Sequence, residues 1–254
     1  KMRSFLTMLG IVMGVFSVIA IMALGNATEN YIASEFEKIG ANTYNIYYKG
    51  SDITDNERLT LDDIDLLANN VPEIKNITTM GQWFGQLRMG TETRSAMIYE
   101  VTSQYKSFTV IDMAAGRFIS NFDDTARAKV CVVDQAFAEK YFGKADIIGE
   151  ELNLKLSRYN IKVKVIGVTV TEDNMLTDMA GDQIPVMLYM PIKTVQSITG
   201  YGKLDTIMFS LQPDTDVKIV NNKIIGLLER VHRREDIYYL QSMEEVQKMF
   251  SDVI

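Results

Sequence analysis

The sequence predicts an α+β fold carried by a single membrane helix. Two patterns point there: twenty consecutive uncharged residues near the N-terminus, and behind them short strand-like segments mixed with a few helical stretches that are apolar on one face. At 254 residues the chain suffices for one large domain or two small ones, and either buries a sizeable core.

Phe5 to Leu24 reads FLTMLGIVMGVFSVIAIMAL. As a helix at about 1.5 Å per residue it spans about 30 Å, the thickness of one bilayer core. Lys1 and Arg3 precede it, and Glu29, Glu35 and Glu37 follow. The positive-inside tendency therefore puts the N-terminus in the cytoplasm, the helix in the cytoplasmic membrane and everything beyond Gly25 outside. Gly10 and Gly14 form a small-xxx-small pair, with Ser17 nearby, through which another membrane helix can approach closely.

A secretory signal peptide is the rival reading, with Ala23-Leu24-Gly25 as a small-x-small cleavage site. Twenty apolar residues exceed the usual h-region of about 7–15, and the helical pattern runs on past that cut. Ile32, Phe36 and Ile39 recur at i, i+4, i+7, and Gly40 suits a C′ position. Residues 1–25 are thus expected to be a transmembrane helix and 26–40 an amphipathic stalk.

Thr43–Tyr48 is rich in β-formers and reads as a strand ending at Gly50. Thr60 and Asp63 make a T-x-x-D start signal for a short helix carrying Leu61, Ile64, Leu67 and Ala68, closed by Val71-Pro72. Segments near 73–79, 83–89 and 94–102 have strand composition, punctuated by Gly81 and Gly90. From Gly116 a second group begins. Lys129–Val133 reads as a buried strand, and Asp134 caps a helix that stops at Gly143. Leu152, Leu154 and Leu156 alternate, as do Ile161, Val163 and Val165, so a hairpin turning at 157–160 is expected. After a polar loop at 171–184, Val186–Met190 is a strand and Pro191 opens a helix ended by Gly200. Thr206–Leu211 is a further strand, and Val217, Val220, Ile224, Leu227, Leu228 and Val231 trace one helical face. The strand Asp236–Leu240 follows, and Ser242 with Glu245 forms a capping box opening a last helix.

Net charge is −7, and because Lys1 and Arg3 are the only charges among the first three residues, the rest carries −9. Such an acidic domain disfavours nucleic acid and anionic headgroups as partners. Cys131, the single cysteine, has no internal disulfide partner and sits in the apolar run Val130–Val133 as a small buried hydrophobe. No Gly-x-x-x-x-Gly-Lys-[Ser/Thr] loop occurs, so the chain is not expected to bind or hydrolyse ATP by itself. His232 is the only histidine, which puts a catalytic triad or a histidine-rich metal site out of reach. Beside Arg233 and Arg234 it reads as a solvated helix end. Asp62, Asp63 and Asp65 lack the Gly and distal Glu of a calcium loop and read as helix N-terminal acids. Catalytic, cofactor and metal residues are expected to be none.

Two features stay open between function and packing. The loop with Glu172, Asp173, Met175, Asp178, Met179 and Asp182 reads as a solvated loop or a partner contact. Tyr44, Tyr47 and Tyr48, like Trp83 and Phe84, read as core and rim packing before a ligand platform.

Several ordered stretches carry a resemblance. They are Arg3–Gly10 opening the apolar helix that runs to Ala23-Leu24-Gly25, and Ile39-Gly40-Ala41-Asn42 before the first strand. Next come Ala115-Gly-Arg-Phe118, Asp123-Asp124, Lys129–Asp134, Ala138-Glu-Lys-Tyr-Phe-Gly143, Ile148-Gly149 and the Val163–Val168 strand. In this order the chain resembles the N-terminal half of MacB/FtsX-type ABC permeases over nearly its whole length. The resemblance implies a porter-like α+β lobe at 41–112 and 203–241, an inserted β-rich lobe at 113–202, and a second stalk helix at 242–254 leading to a further transmembrane span. It implies three membrane helices after residue 254, an ABC ATPase, separate or fused, that binds the ATP, and a second permease copy forming a homodimer. An extracytoplasmic adaptor or binding protein is a further implied partner. The implied function is coupling of cytoplasmic ATP hydrolysis to export or envelope mechanotransmission, without chemistry on a substrate. The alternative is a secreted or singly anchored binding module without an ATPase, which requires no spans after residue 254. Under the permease reading the stalk helices lie side by side through Ile32, Phe36 and Ile39 on one and Val246, Met249, Phe250 and Val253 on the other.

Overall fold

The computed structural model describes residues 2–39, 42–170 and 185–251. Helix α1 runs unbroken from Met2 to Ile39. Within it Phe5–Gly25 is long and apolar enough to cross a membrane, and none of that stretch is buried within the chain. A soluble core would leave no such twenty-residue cylinder of Leu, Ile, Val, Met and Phe uncovered.

Beyond α1 the chain folds into two sheets, each with its own core. The smaller has four strands: β1 (Thr43–Tyr48), β2 (Ile74–Thr78), β10 (Ile207–Leu211) and β11 (Tyr238–Ser242), in the order β11-β1-β10-β2. All of its neighbours are antiparallel. Helix α2 (Leu61–Asn70) joins β1 to β2, and α6 (Val217–His232) joins β10 to β11. This is the β-α-β-β-α-β split βαβ arrangement, with everything between β2 and β10 inserted into it. Ile46, Leu59, Leu67, Ile207, Phe209, Ile224, Leu228 and Tyr238 are buried together between sheet and helices. The Thr60 signal works as expected: the Thr60 N–H donates to Asp63 Oδ2 at 2.7 Å at the start of α2.

The larger sheet has seven strands in the order β5-β8-β6-β9-β4-β3-β7. They are β3 (Met80–Met89), β4 (Glu92–Val101), β5 (Met113–Gly116), β6 (Val130–Asp134), β7 (Glu151–Leu156), β8 (Tyr159–Thr169) and β9 (Val186–Pro191). β7 also pairs with β8, so β8, β6, β9, β4, β3 and β7 close into a ring, and β5 adds to it on β8. Leu152, Leu154 and Leu156 are buried while Glu151, Asn153 and Lys155 between them are exposed, the period of two that the alternation predicts. With Leu87, Ile98, Cys131, Val163, Val165 and Leu188 they form the second core. Short helices α3 (Asn121–Thr125), α4 (Gln135–Phe142) and α5 (Ile192–Thr199) flank it. The Asp134 carboxylate accepts from Phe137 N at 2.7 Å to cap α4, and Gly143 ends the helix in the left-handed conformation.

The sheet pairing moves one expected boundary. Residues 79–112 were expected in the porter-like lobe and the insertion at 113–202. β3 and β4, however, pair with β7 and β9 in the large sheet, so the insertion spans Thr79 to Thr206. Strand composition marks where a strand is, and its partners are chosen by contacts far along the chain. The loop at 171–184 lies outside the described residues.

Candidate functional site

Two places in this fold invite a function: the helical stalk and the junction between the sheets. The stalk follows from the small sheet. β1 begins just after α1, and β11 leads straight into α7 (Met243–Ser251). These strands are antiparallel neighbours with Tyr44 opposite Ser242, so the entry of one lies beside the exit of the other. The backbones of α1 and α7 consequently run against each other. The corner into α7 is locked by the predicted capping box. Ser242 N donates to Glu245 Oε2 at 3.0 Å and Glu245 N donates to Ser242 Oγ at 3.1 Å. Lys248 adds an i, i+4 ion pair to Glu244 at 2.7 Å. Tyr44 stacks on Phe209 with ring centroids 5.6 Å apart. Its hydroxyl is pushed upward in pKa by burial first and then by the charges of Glu244 and Glu245.

The junction stands at the other end of the same strands. Thr78, the last residue of β2, pairs with Met208 of β10, so the chain enters and leaves the large lobe through adjacent strands. Thr79 Oγ1 donates to the Thr206 carbonyl at 2.6 Å, tying the two crossings together. Thr206 Oγ1 in turn donates to the Ile46 carbonyl at 3.0 Å, and Tyr48 donates to the Leu204 carbonyl at 2.7 Å. Since Ser210 pairs with Thr43 and Ile207 with Ile46, only the length of a short strand, roughly 10–15 Å, separates stalk from junction.

This order of elements has counterparts among known proteins. A family model described as the MacB-like periplasmic core domain matches residues 4–227. The chain belongs to that family. Over 255 residues it is 28% identical to the macrolide export ATP-binding/permease protein MacB of Neisseria gonorrhoeae, covering 98% of this chain and 38% of the relative. The MacB of Haemophilus ducreyi is likewise 28% identical over 252 residues, covering 98% of this chain and 35% of that protein. The chain therefore spans little more than a third of the relatives it matches. In fold it is similar to the periplasmic region of MacB from Actinobacillus actinomycetemcomitans, with a TM-score of 0.67, 19% identity and coverage of 87% of this chain and 98% of that one. The extracellular domain of YknZ, a noncanonic ABC-type transporter from Gram-positive bacteria, aligns with a TM-score of 0.64 at 19% identity, covering 79% and 100%.

In this MacB-like domain the expected site residues fall as follows. Gly10 and Gly14 are exposed on α1, and a Cβ added at either meets nothing within 4 Å among the described residues. Ile32, Phe36 and Ile39 belong to α1 and Phe250 to α7, with side chains outside the described ones; Val253 lies outside the described residues altogether. Val246 is half-buried, whereas Met249 is 51% exposed and its sulfur takes a long contact of 4.0 Å from Gln241 Nε2 on β11. The tyrosines pack as expected: Tyr47 faces Tyr239 and Tyr48 faces Tyr238.

His232 requires a correction. It is no solvated helix end: its side chain is 7% exposed, with Nδ1 donating to the Asn56 carbonyl at 2.9 Å and Nε2 at 3.1 Å from Asp63 Oδ1. The ring sits edge-on to Tyr238 and pins α6 to the start of α2. The basic run had suggested solvent because sequence spacing does not show that α2 packs over the last turn of α6. Sequence reasoning also missed Glu100. It is 4% exposed at the end of β4, and its Oε2 has no hydrogen-bond partner among the described residues. The one available signal was an acid closing the apolar run Met97-Ile98-Tyr99.

Proposed function

We propose that this chain is the first membrane helix and extracytoplasmic domain of an ABC-transporter permease subunit, with its N-terminus in the cytoplasm. It relays ATP-driven movement from the membrane to the outer lobes. One observation carries the reading: α1 and α7 leave adjacent strands of one sheet at the same end and run against each other. A pull or twist on either helix reaches β1 and β11 directly, and hydrogen-bonded strands resist sliding because each step breaks several bonds at once. The other end of that sheet leads into the large lobe, so displacement at the stalk tilts the lobe about its two-strand bridge.

The relatives are named ATP-binding/permease proteins, which supports an ABC ATPase as partner or fused domain. ATP is bound there, since this chain carries no phosphate loop. A second permease copy packs through the Gly10 and Gly14 face, and an extracytoplasmic adaptor or binding protein meets the outer lobe.

Under this reading, positions equally far from the sheet-side ends of α1 and α7 are the ones to pair. Cysteines at Phe36 with Val246, and at Ile32 with Phe250, introduced into the complete transporter after Cys131→Ser, should form disulfides that block transport. Reductant should restore it. Efficient cross-linking with unchanged transport would exclude coupling through the stalk, and failure of both pairs to cross-link would exclude the helix pairing.

A further inference from the structure

Beside the bridge between the lobes lies a cleft of about 190 Å³. Glu100 lines it, together with Trp83 from β3 and Tyr201, Lys203 and Asp205 from the returning chain. We propose that this cleft is a binding site for a small organic cation, a primary alkylammonium group seated on Glu100 beside Trp83 and Tyr201.

The carboxyl is built into the fold. A Cβ at residue 81 would come within 2.3 Å of Glu100 Oε1, so the space it occupies exists because that residue is glycine. Its buried Oε2 has no hydrogen-bond partner among the described residues, which costs free energy. Burial, the largest influence, pushes the Glu100 pKa up to about 7; the nearby Trp83 indole lowers it and the Asp205 charge raises it. Above about pH 7 the carboxylate form predominates, and a cation beside it supplies a hydrogen-bond donor and a countercharge.

The walls suit the same ligand. Trp83 and Tyr201 meet edge to face with centroids 6.0 Å apart, and their rings attract a cation as well as the alkyl chain behind it. Asp205 adds a second carboxylate, held 3.7 Å from the Arg58 guanidinium. A metal ion fits less well, since no group of three or more His, Cys, Asp or Glu side chains among the described residues is disposed to hold one. Lys203, half-buried at the same cleft, is the competing internal cation.

Trp83 is the only tryptophan, so its fluorescence reports on this cleft alone. Titrating the full chain in detergent micelles with n-butylammonium chloride should change that emission saturably, while uncharged n-butanol should not. The apparent Kd should weaken about tenfold between about pH 8 and pH 6 as Glu100 takes up a proton. Glu100→Gln should abolish saturation with the circular dichroism unchanged. The pH dependence in the unmutated chain is an independent reading should that variant fail to fold. No saturable change, equal responses to butanol and butylammonium, or pH-independent affinity would overturn the proposal. Binding that emerges only in Lys203→Ala would overturn it in favour of Lys203 as the internal occupant.

Discussion

The Asp123 carboxylate is held from three directions at the start of α3. Arg117 grips both oxygens, Nη1 to Oδ2 at 2.6 Å and Nη2 to Oδ1 at 2.9 Å, while Ser120 N donates to Oδ2 at 2.8 Å and Ser120 Oγ at 2.5 Å. Arg117 is the main reason its pKa falls from an ordinary 3.8 to about 2. A group lowered in this way stabilises the fold above its unfolded value, and that contribution is lost as pH falls through the folded one. Asp123→Asn should therefore destabilise the lobe by about 1–3 kcal/mol at neutral pH, measured by urea unfolding. The gap to the unmutated chain should close between about pH 4 and pH 2. An unchanged urea midpoint at neutral pH would show that the pair contributes nothing net. Asp123 was legible as part of a motif, but its grip by Arg117 was not, because Arg117 must fold back six residues to reach it. His232 and Glu100 illustrate the same limit, since neither residue type announces whether it is buried.

Among elements, those governed by nearest neighbours were read well. The Thr60, Asp134 and Ser242 starts, the Gly143 and Gly200 stops and the hairpin of β7 with β8 all depend on residues within a few positions of each other. The pairing of β5 with β8 does not. There Gly116 and Gly167 face each other, and a Cβ at residue 167 would lie 2.3 Å from the Arg117 carbonyl oxygen. Backbone cannot swing aside as a side-chain tip can. Gly167→Ala should consequently pull β5 away from the sheet and cost about 1–3 kcal/mol or more, read as a lower unfolding midpoint with faster amide exchange at Gly116 and Arg117. Unaltered exchange there would mean that the sheet absorbs the methyl without parting.

At the scale of the molecule, each lobe closes its own core: Phe209 and Leu228 in one and Leu154 and Val165 in the other are fully buried within this chain. Among the described residues the longest run of exposed apolar side chains is the Phe5–Gly25 segment of α1, long enough to cross a bilayer. Residues 26–254 without that segment should thus be largely monomeric at micromolar concentration, and sedimentation yielding a stable dimer would place a contact between copies on the stalk or the outer lobes instead.

The apolar helix long enough to cross a membrane, the α+β class and most strands and caps were determined by the sequence itself, because apolar run length, periodicity and capping chemistry are local properties. Tertiary structure alone decided that β3 and β4 belong to the inserted lobe, that His232 is a clasp and that Glu100 lines a cleft. These depend on which distant segments meet, and a strand or an acidic side chain has the same local pattern whichever partner it finds. The stalk unites the two kinds of information. Its helices are written in the sequence, whereas their adjacency follows from Tyr44 lying opposite Ser242 across a hydrogen-bonded pair of strands nearly two hundred residues apart.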